Sequence, residues 1–166
     1  MQPIAKLSLL LAAVLPLATA APTTQARAAG DWSGSGRLVP IDAFSGETQP
    51  GCLTAEGQWT GDEAQCAIFT AVRGESQSIL LSTSAGPCGI VQPTFKCGAD
   101  VKPTVFGTWP NGVPATTKEV LRYSQYGVFA DRDDQGPPTP GGKNLDLSFY
   151  SGSEPGPFVW LSWESA

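Results

Sequence analysis

The chain has 166 residues, with 15 Asp/Glu against 10 Lys/Arg, no histidine, four cysteines, 19 glycines and 15 prolines. Without imidazole it holds no Ser-His-Asp or Cys-His catalytic unit, no histidine acid-base pair and no His-containing zinc site, so any chemistry would fall to carboxylates, Tyr, Lys, Arg or Cys. The length suits one domain, and 41% hydrophobic residues is enough for a real core, which argues against wholesale disorder.

Met1 to Lys6 carries one positive charge, Leu7 to Leu17 is an apolar run, and Ala18-Thr19-Ala20 is a small-x-small cleavage site. Residues 1–20 are therefore expected to be a secretion signal cut after Ala20, too short in its apolar part to span a bilayer. Its removal takes away Lys6 alone and leaves nine basic against 15 acidic residues, a net charge of −6. The expected product is secreted, extracellular and not membrane-bound. Residues 21–35 form an expected flexible arm or propeptide, Ala/Thr/Pro-rich at its start.

From Gly36 onward the apolar residues come in short runs rich in Val, Ile, Phe, Trp and Thr, punctuated by Gly, Pro, Asn, Asp and Ser. Strands are expected near Gly36–Ile41, Cys52–Trp59, Cys66–Arg73, Ser78–Thr83, Cys88–Val91, Thr94–Cys97, Thr104–Trp109, Tyr126–Asp131, Leu145–Tyr150 and Phe158–Trp163. Thr116–Tyr123 alone has helix-compatible composition, and it also suits a strand or a single turn. Eight to ten short strands at this spacing predict an all-β fold, a small antiparallel sandwich or barrel.

Two strands carry their burial in their pattern. In Leu145-Asp146-Leu147-Ser148-Phe149 the apolar residues share one face and Asp146 and Ser148 the other, as in a half-exposed strand. Phe158-Val159-Trp160-Leu161-Ser162-Trp163 is apolar on both faces, so it belongs in the middle of its sheet. Between them, residues 131–143 run from Asp131-Arg132-Asp133-Asp134 into a Pro/Gly-rich stretch, the composition of a long surface loop.

Four cysteines allow three pairings. The strand pattern favours Cys52 with Cys66 and Cys88 with Cys97, each closing a hairpin-sized loop, with 13 and eight residues inside the two pairs. Each bridge would contribute about 2–3 kcal/mol, chiefly by restricting the unfolded chain. A Cys₄ zinc site wants close Cys-x₂₋₄-Cys pairs, which are absent, so no metal ligands and no cofactor are expected.

A resemblance emerges around these cysteines. Gly36-Arg37-Leu38, Gly51-Cys52-Leu53-Thr54, Gly57-Gln58-Trp59 and Cys66-Ala67-Ile68-Phe69-Thr70-Ala71 resemble the opening of the C-terminal accessory domain that follows the catalytic domain of fungal T2-type ribonucleases. The likeness continues through Gly86-Pro87-Cys88-Gly89-Ile90-Val91, Phe95-Lys96-Cys97-Gly98 and Thr104-Val105-Phe106. It covers most of residues 36–106, and Trp160-Leu161-Ser162-Trp163 is compatible with that domain's last strand. The resemblance implies a non-catalytic domain, because the family's catalytic core works through histidines in a separate N-terminal domain. Association with a cell wall, a substrate or domain stability is the role it suggests.

Among single residues, the tryptophans with Tyr123, Tyr126 and Tyr150 suit either a sugar-stacking platform or a core. Trp59 and Trp160 lie in apolar-flanked strands and are assigned to packing. Trp109 precedes the turn signal Pro110-Asn111-Gly112 and is the candidate ligand-binding residue. Asp131, Asp133 and Asp134 are the acids around which a carboxylate-based hydrolase would be built, although a solvated charge run reads the same. Glu56, Asp62, Glu63 and Glu75 suit strand edges and turns that keep a β surface soluble. The partners expected are a cell-wall polysaccharide or a host protein; the scattered basic residues argue against nucleic acid. No catalytic residue is named.

Overall fold

The computed structural model describes residues 31–109, 118–124, 128–131, 136–149 and 157–166, with the backbone alone for 128–131. The expected signal at 1–20, most of the arm, Asp133 and Asp134 lie outside the described residues.

Twelve strands are described: β1 Gly34–Asp42, β2 Cys52–Leu53, β3 Trp59–Thr60, β4 Phe69–Arg73, β5 Ile79–Thr83, β6 Gly86–Val91, β7 Thr94–Cys97, β8 Gly107–Trp109, β9 Val120–Arg122, β10 Val128–Asp131, β11 Leu147–Phe149 and β12 Phe158–Ser165. Eight of them run in the order β1-β4-β5-β6-β7-β11-β10-β12, and β12 pairs back onto β1. The sheet therefore closes, and of the two expected architectures the chain adopts the barrel. Closure pairs every strand of the ring on both sides and so removes the exposed edge that invites aggregation.

The closing seam is long. β1 and β12 are antiparallel from Gly36↔Ser165 through Asp42↔Val159. The other edge of β12 is shared: Val128, Phe129 and Ala130 of β10 pair with its first residues, and Val120 of β9 pairs with Ser162 further along. β11 then pairs with β10, while β8 pairs with β9 and Phe106, just before β8, bridges to Ile79 of β5. The wall thus forks beside β12, one branch through β10, β11, β7 and β6, the other through β9 and β8.

The two-sided apolar character of β12 now has its explanation. Val159, Leu161 and Trp163 enter the main core with Leu38, Leu53, Trp59, Phe69, Phe95 and Phe106. On the opposite face Trp160 joins Ile41 and Val120 in a second cluster, with Ala43 and Trp109 packed against it. Both disulfides pair as the strand pattern suggests, Cys52 with Cys66 and Cys88 with Cys97. The second sits inside the β6–β7 ladder, where Cys88 faces Cys97 and Ile90 faces Phe95.

Several expected elements change shape. The stretch Cys52–Trp59 is two short strands joined by a turn, because Gly57 adopts φ +90° and its amide donates to the Thr54 carbonyl at 3.0 Å. A Cβ at Gly57 would stand 2.9 Å from the Phe95 ring, so the turn also needs the missing side chain. In Cys66–Arg73 the strand starts only at Phe69, since the chain reaches Cys66 through a 3₁₀ turn, Glu63–Gln65, capped by the Asp62 carboxylate accepting from the Ala64 amide. Of Thr104–Trp109 only the last three residues are strand. Within Thr116–Tyr123 the structure has strand β9, recruited by β12 and β8 rather than by any helical period.

Ser148, expected on a solvent face, is fully buried between Thr94 of β7 and Ala130 of β10. Its hydroxyl has no hydrogen-bond partner among the described residues. The packed structure includes residues before Gly36. Trp32, placed by sequence in the arm, is 0% exposed and stacks on Trp163 with ring centroids 5.5 Å apart.

The described part of the Pro/Gly-rich loop and the residues that follow it are anchored to the β2–β3 region. Asn144 donates to Gln65 at 2.8 Å, Gln58 donates to Asp146 at 2.9 Å, and Gly61 lies so close to the Pro138 carbonyl that a Cβ would sit 2.4 Å from it.

Candidate binding cavity

Beside the fork in the wall lies a concave feature. β6 and β7 meet in the turn Val91-Gln92-Pro93-Thr94, and the Phe149 amide at the end of β11 donates to the Pro93 carbonyl at 2.8 Å. On the other branch, Tyr123 follows β9 directly. Between these ends lies a cavity of about 450 Å³ lined by Ile90, Gln92, Pro93, Tyr123 and Phe149. That volume falls in the range of small-molecule sites, roughly 300–1,000 Å³, and barrel openings are a recurrent place for them.

The aromatic residues form a chain leading to it from the core. Phe95 and Phe106 have centroids 5.8 Å apart, Phe106 and Tyr123 6.3 Å, and Tyr123 and Phe149 5.0 Å with planes at 85°. Such edge-to-face pairs are favourable beyond the area they bury, which fixes the two rings of the cavity against each other. Ile90 and Tyr123 also pack on the main core, so the lining is built on the barrel's interior rather than on a loop.

The polar content is small. Gln92 and Tyr123 supply an amide and a phenol, and neither side chain hydrogen-bonds to the described protein. Among the described residues no Asp, Glu, Lys or Arg lines the cavity. A carboxylate whose ionisation the structure moves lies elsewhere: the Ser45 backbone amide, helped by the Phe44 amide and the Ser45 hydroxyl and opposed by burial, holds Asp42 below the usual aspartate range. That group closes a turn after β1, its Oδ1 accepting from Phe44 at 2.9 Å and Ser45 at 2.7 Å. Among the described residues no group of three or more Cys, Asp or Glu side chains is placed to hold a metal ion.

Trp109, the residue singled out from sequence, is half-buried at the end of β8 and leans on Trp160, with centroids 5.5 Å apart and planes at 59°. It belongs to the second cluster outside the cavity's lining. Trp59 and Trp160 are packed in clusters as expected. Asp131 ends β10, with only its backbone described, and the rest of the acidic run is outside the described residues. Glu63 pairs with Arg37 at 3.1 Å across the surface. Sequence reasoning named Tyr123 only among many aromatics and missed Gln92, Pro93 and Phe149. The one local signal was the Gln-Pro turn between two strands.

Several aliphatic side chains are exposed. Val72 faces Leu80 across β4 and β5, and both are exposed, at 58% and 43%. Ile68 and Val105, at 47% and 63%, are exposed as well.

A family model, the RNase T2-like C-terminal domain, matches residues 31–133, more than half of the chain. The chain belongs to the RNase T2-like C-terminal domain family. The match begins at Asp31, so it includes the Trp32 that the structure places in the core. No curated protein and no solved structure gives a match. Two disulfides fit an RNase T2-like C-terminal domain made in an oxidising compartment. Among its described residues no helix is long and apolar enough to cross a membrane.

Proposed function

We propose that this RNase T2-like C-terminal domain is a secreted, non-catalytic binding module that acts at a cell wall or host surface, with the cavity at the fork as its ligand site. The observation that carries the reading is that cavity: concave, aromatic-lined, fixed to the core, and without a carboxylate among its described lining residues. The absence of histidine from the whole sequence supports the same reading, since the ribonuclease chemistry associated with the family's partner domain needs imidazole. The signal-like N-terminus and the disulfides support secretion.

Retention of the purified protein on isolated cell-wall fractions and host surface material tests this. The native chain should be retained, Gln92→Trp should reduce retention at least tenfold by obstructing the cavity, and RNA should not be hydrolysed. Retention on none of the materials, or turnover of RNA, would sink the proposal. Trp109→Ala in the same assay reads out whether the second aromatic cluster takes part.

A second reading, a secreted effector that docks on a host protein, is favoured by the exposed aliphatic residues Val72, Leu80, Ile68 and Val105. Binding to host surfaces that is lost in the double variant Val72→Glu, Leu80→Glu and kept in Gln92→Trp would choose it over the first.

A further inference from the structure

The chemistry of the cavity lining selects among ligands. Ile90, Pro93 and Phe149 offer only hydrocarbon, and Tyr123 adds a ring with one hydroxyl and Gln92 one amide. An ionised ligand would meet no counter-charge among the described lining residues, and partial removal of its charge from water would then go uncompensated. Phosphates, carboxylates and ammonium groups are therefore poor occupants. A hexose seated there would bring roughly four or five hydroxyls, as in any unsubstituted pyranose, against two side-chain polar groups among the described lining residues. Each hydroxyl that loses water against the apolar lining without gaining a partner weakens binding. A flat ring system with a single polar group matches the inventory: its faces and edges meet Tyr123 and Phe149, which stand edge-to-face to each other, and its polar atom has the unengaged Gln92 amide or Tyr123 hydroxyl to meet.

We infer that the cavity bounded by Ile90, Gln92, Pro93, Tyr123 and Phe149 is a binding site for an uncharged, largely apolar small molecule built on aromatic or alicyclic rings and carrying one hydrogen-bonding group. This rests on the reading of the cavity as the module's ligand site and narrows what that site takes. The Gln92 amide and the Tyr123 hydroxyl set the position of the ligand's polar group, and the apolar lining supplies the affinity through burial.

The test uses 6-propionyl-2-dimethylaminonaphthalene, a neutral two-ring probe with one ketone acceptor whose emission shifts to the blue in apolar surroundings. Titrated with the full secreted chain, it should bind saturably at one site with a dissociation constant in the micromolar range. Gln92→Trp, at an exposed turn position, should weaken binding at least tenfold with little change in melting temperature. Gln92→Ala should weaken it about threefold to tenfold through the lost hydrogen bond. The double variant Val72→Glu, Leu80→Glu should leave the affinity within twofold.

The absence of a saturable blue shift overturns the inference, as does unchanged affinity in Gln92→Trp. Loss of binding in the double variant places the probe on the outer aliphatic surface and also overturns it. Displacement of the probe by laminarihexaose or chitohexaose overturns the ligand class while upholding the cavity as a site. Wall retention sensitive to Gln92→Trp without probe binding upholds the proposed function and defeats this inference; probe binding without retention on any surface does the reverse.

Discussion

Replacing Trp32 by alanine removes the largest side chain that the N-terminal segment contributes to the barrel. The indole is 0% exposed, joins the main core and stacks on Trp163 at 5.5 Å with planes 30° apart. Truncating a buried tryptophan to alanine costs about 3–5 kcal/mol in lost transfer energy and residual cavity. For a domain of this size that lowers the melting temperature by roughly 10–20 °C. Trp32→Phe should cost much less, about 1 kcal/mol, because the Trp32 Nε1 has no hydrogen-bond acceptor among the described residues and phenylalanine forfeits no bond. Trp59 is the contrast: its Nε1 donates to the Pro50 carbonyl at 3.0 Å, so Trp59→Phe should cost more than Trp32→Phe by about 1 kcal/mol. Urea denaturation followed by tryptophan fluorescence and near-ultraviolet circular dichroism measures all three, with the slope of the transition checked for constancy. A Trp32→Ala protein within 1 kcal/mol of the native one would refute the placement of this residue in the core, and with it the start of the domain before β1.

Gly36 pairs with Ser165 on one side and Phe69 on the other, and a Cβ there would lie 2.4 Å from the Trp163 ring and 2.6 Å from the Glu164 carbonyl. Gly36→Ala should therefore destabilise by about 1–3 kcal/mol, read as a lower urea midpoint; a neutral result would mean that the seam is looser than described. Asp42 has its pKa lowered by the Ser45 and Phe44 amides that its carboxylate accepts from, so its folded value lies below its unfolded one. The stabilisation is present at neutral pH and is lost as the pH falls through the folded value. Asp42→Ala should cost about 1–2 kcal/mol at pH 7, and the difference from the native protein should narrow in urea titrations at successively lower pH below the ordinary aspartate range; a gap independent of pH would rule out the charge as its source.

The fork beside β12 connects stability to the proposed site. β9 and β10 lie along the same edge of β12, and each recruits a different neighbour, β8 on one side and β11 on the other. Tyr123 stands where the first of them ends and Phe149 where β11 ends, so the two rings meet only because both branches are fastened to one strand. The cavity is thus a product of how the barrel closes.

Composition and local pattern determined the all-β class, the two hairpin-sized cysteine pairs, the burial of Trp59 and Trp160, and the central place of Phe158–Trp163 between covered faces. These are short-range properties: alternation with period two, turn residues between runs, and cysteine separations that only a hairpin closes comfortably. The family likeness was legible for the same reason, since its Cys, Gly and aromatic positions lie in order along one stretch. What tertiary structure alone decided involves partners far apart in the chain. Closure joins β1 to β12 across more than a hundred residues, draws Trp32 into the core and turns the ambiguous Thr116–Tyr123 stretch into a strand by offering it two edges. It leaves Trp109 leaning on Trp160 and gathers Gln92, Pro93, Tyr123 and Phe149 from three separate segments into one cavity. No local period marks those four residues as neighbours, because their proximity is set by the forking of the wall and not by their own sequence surroundings.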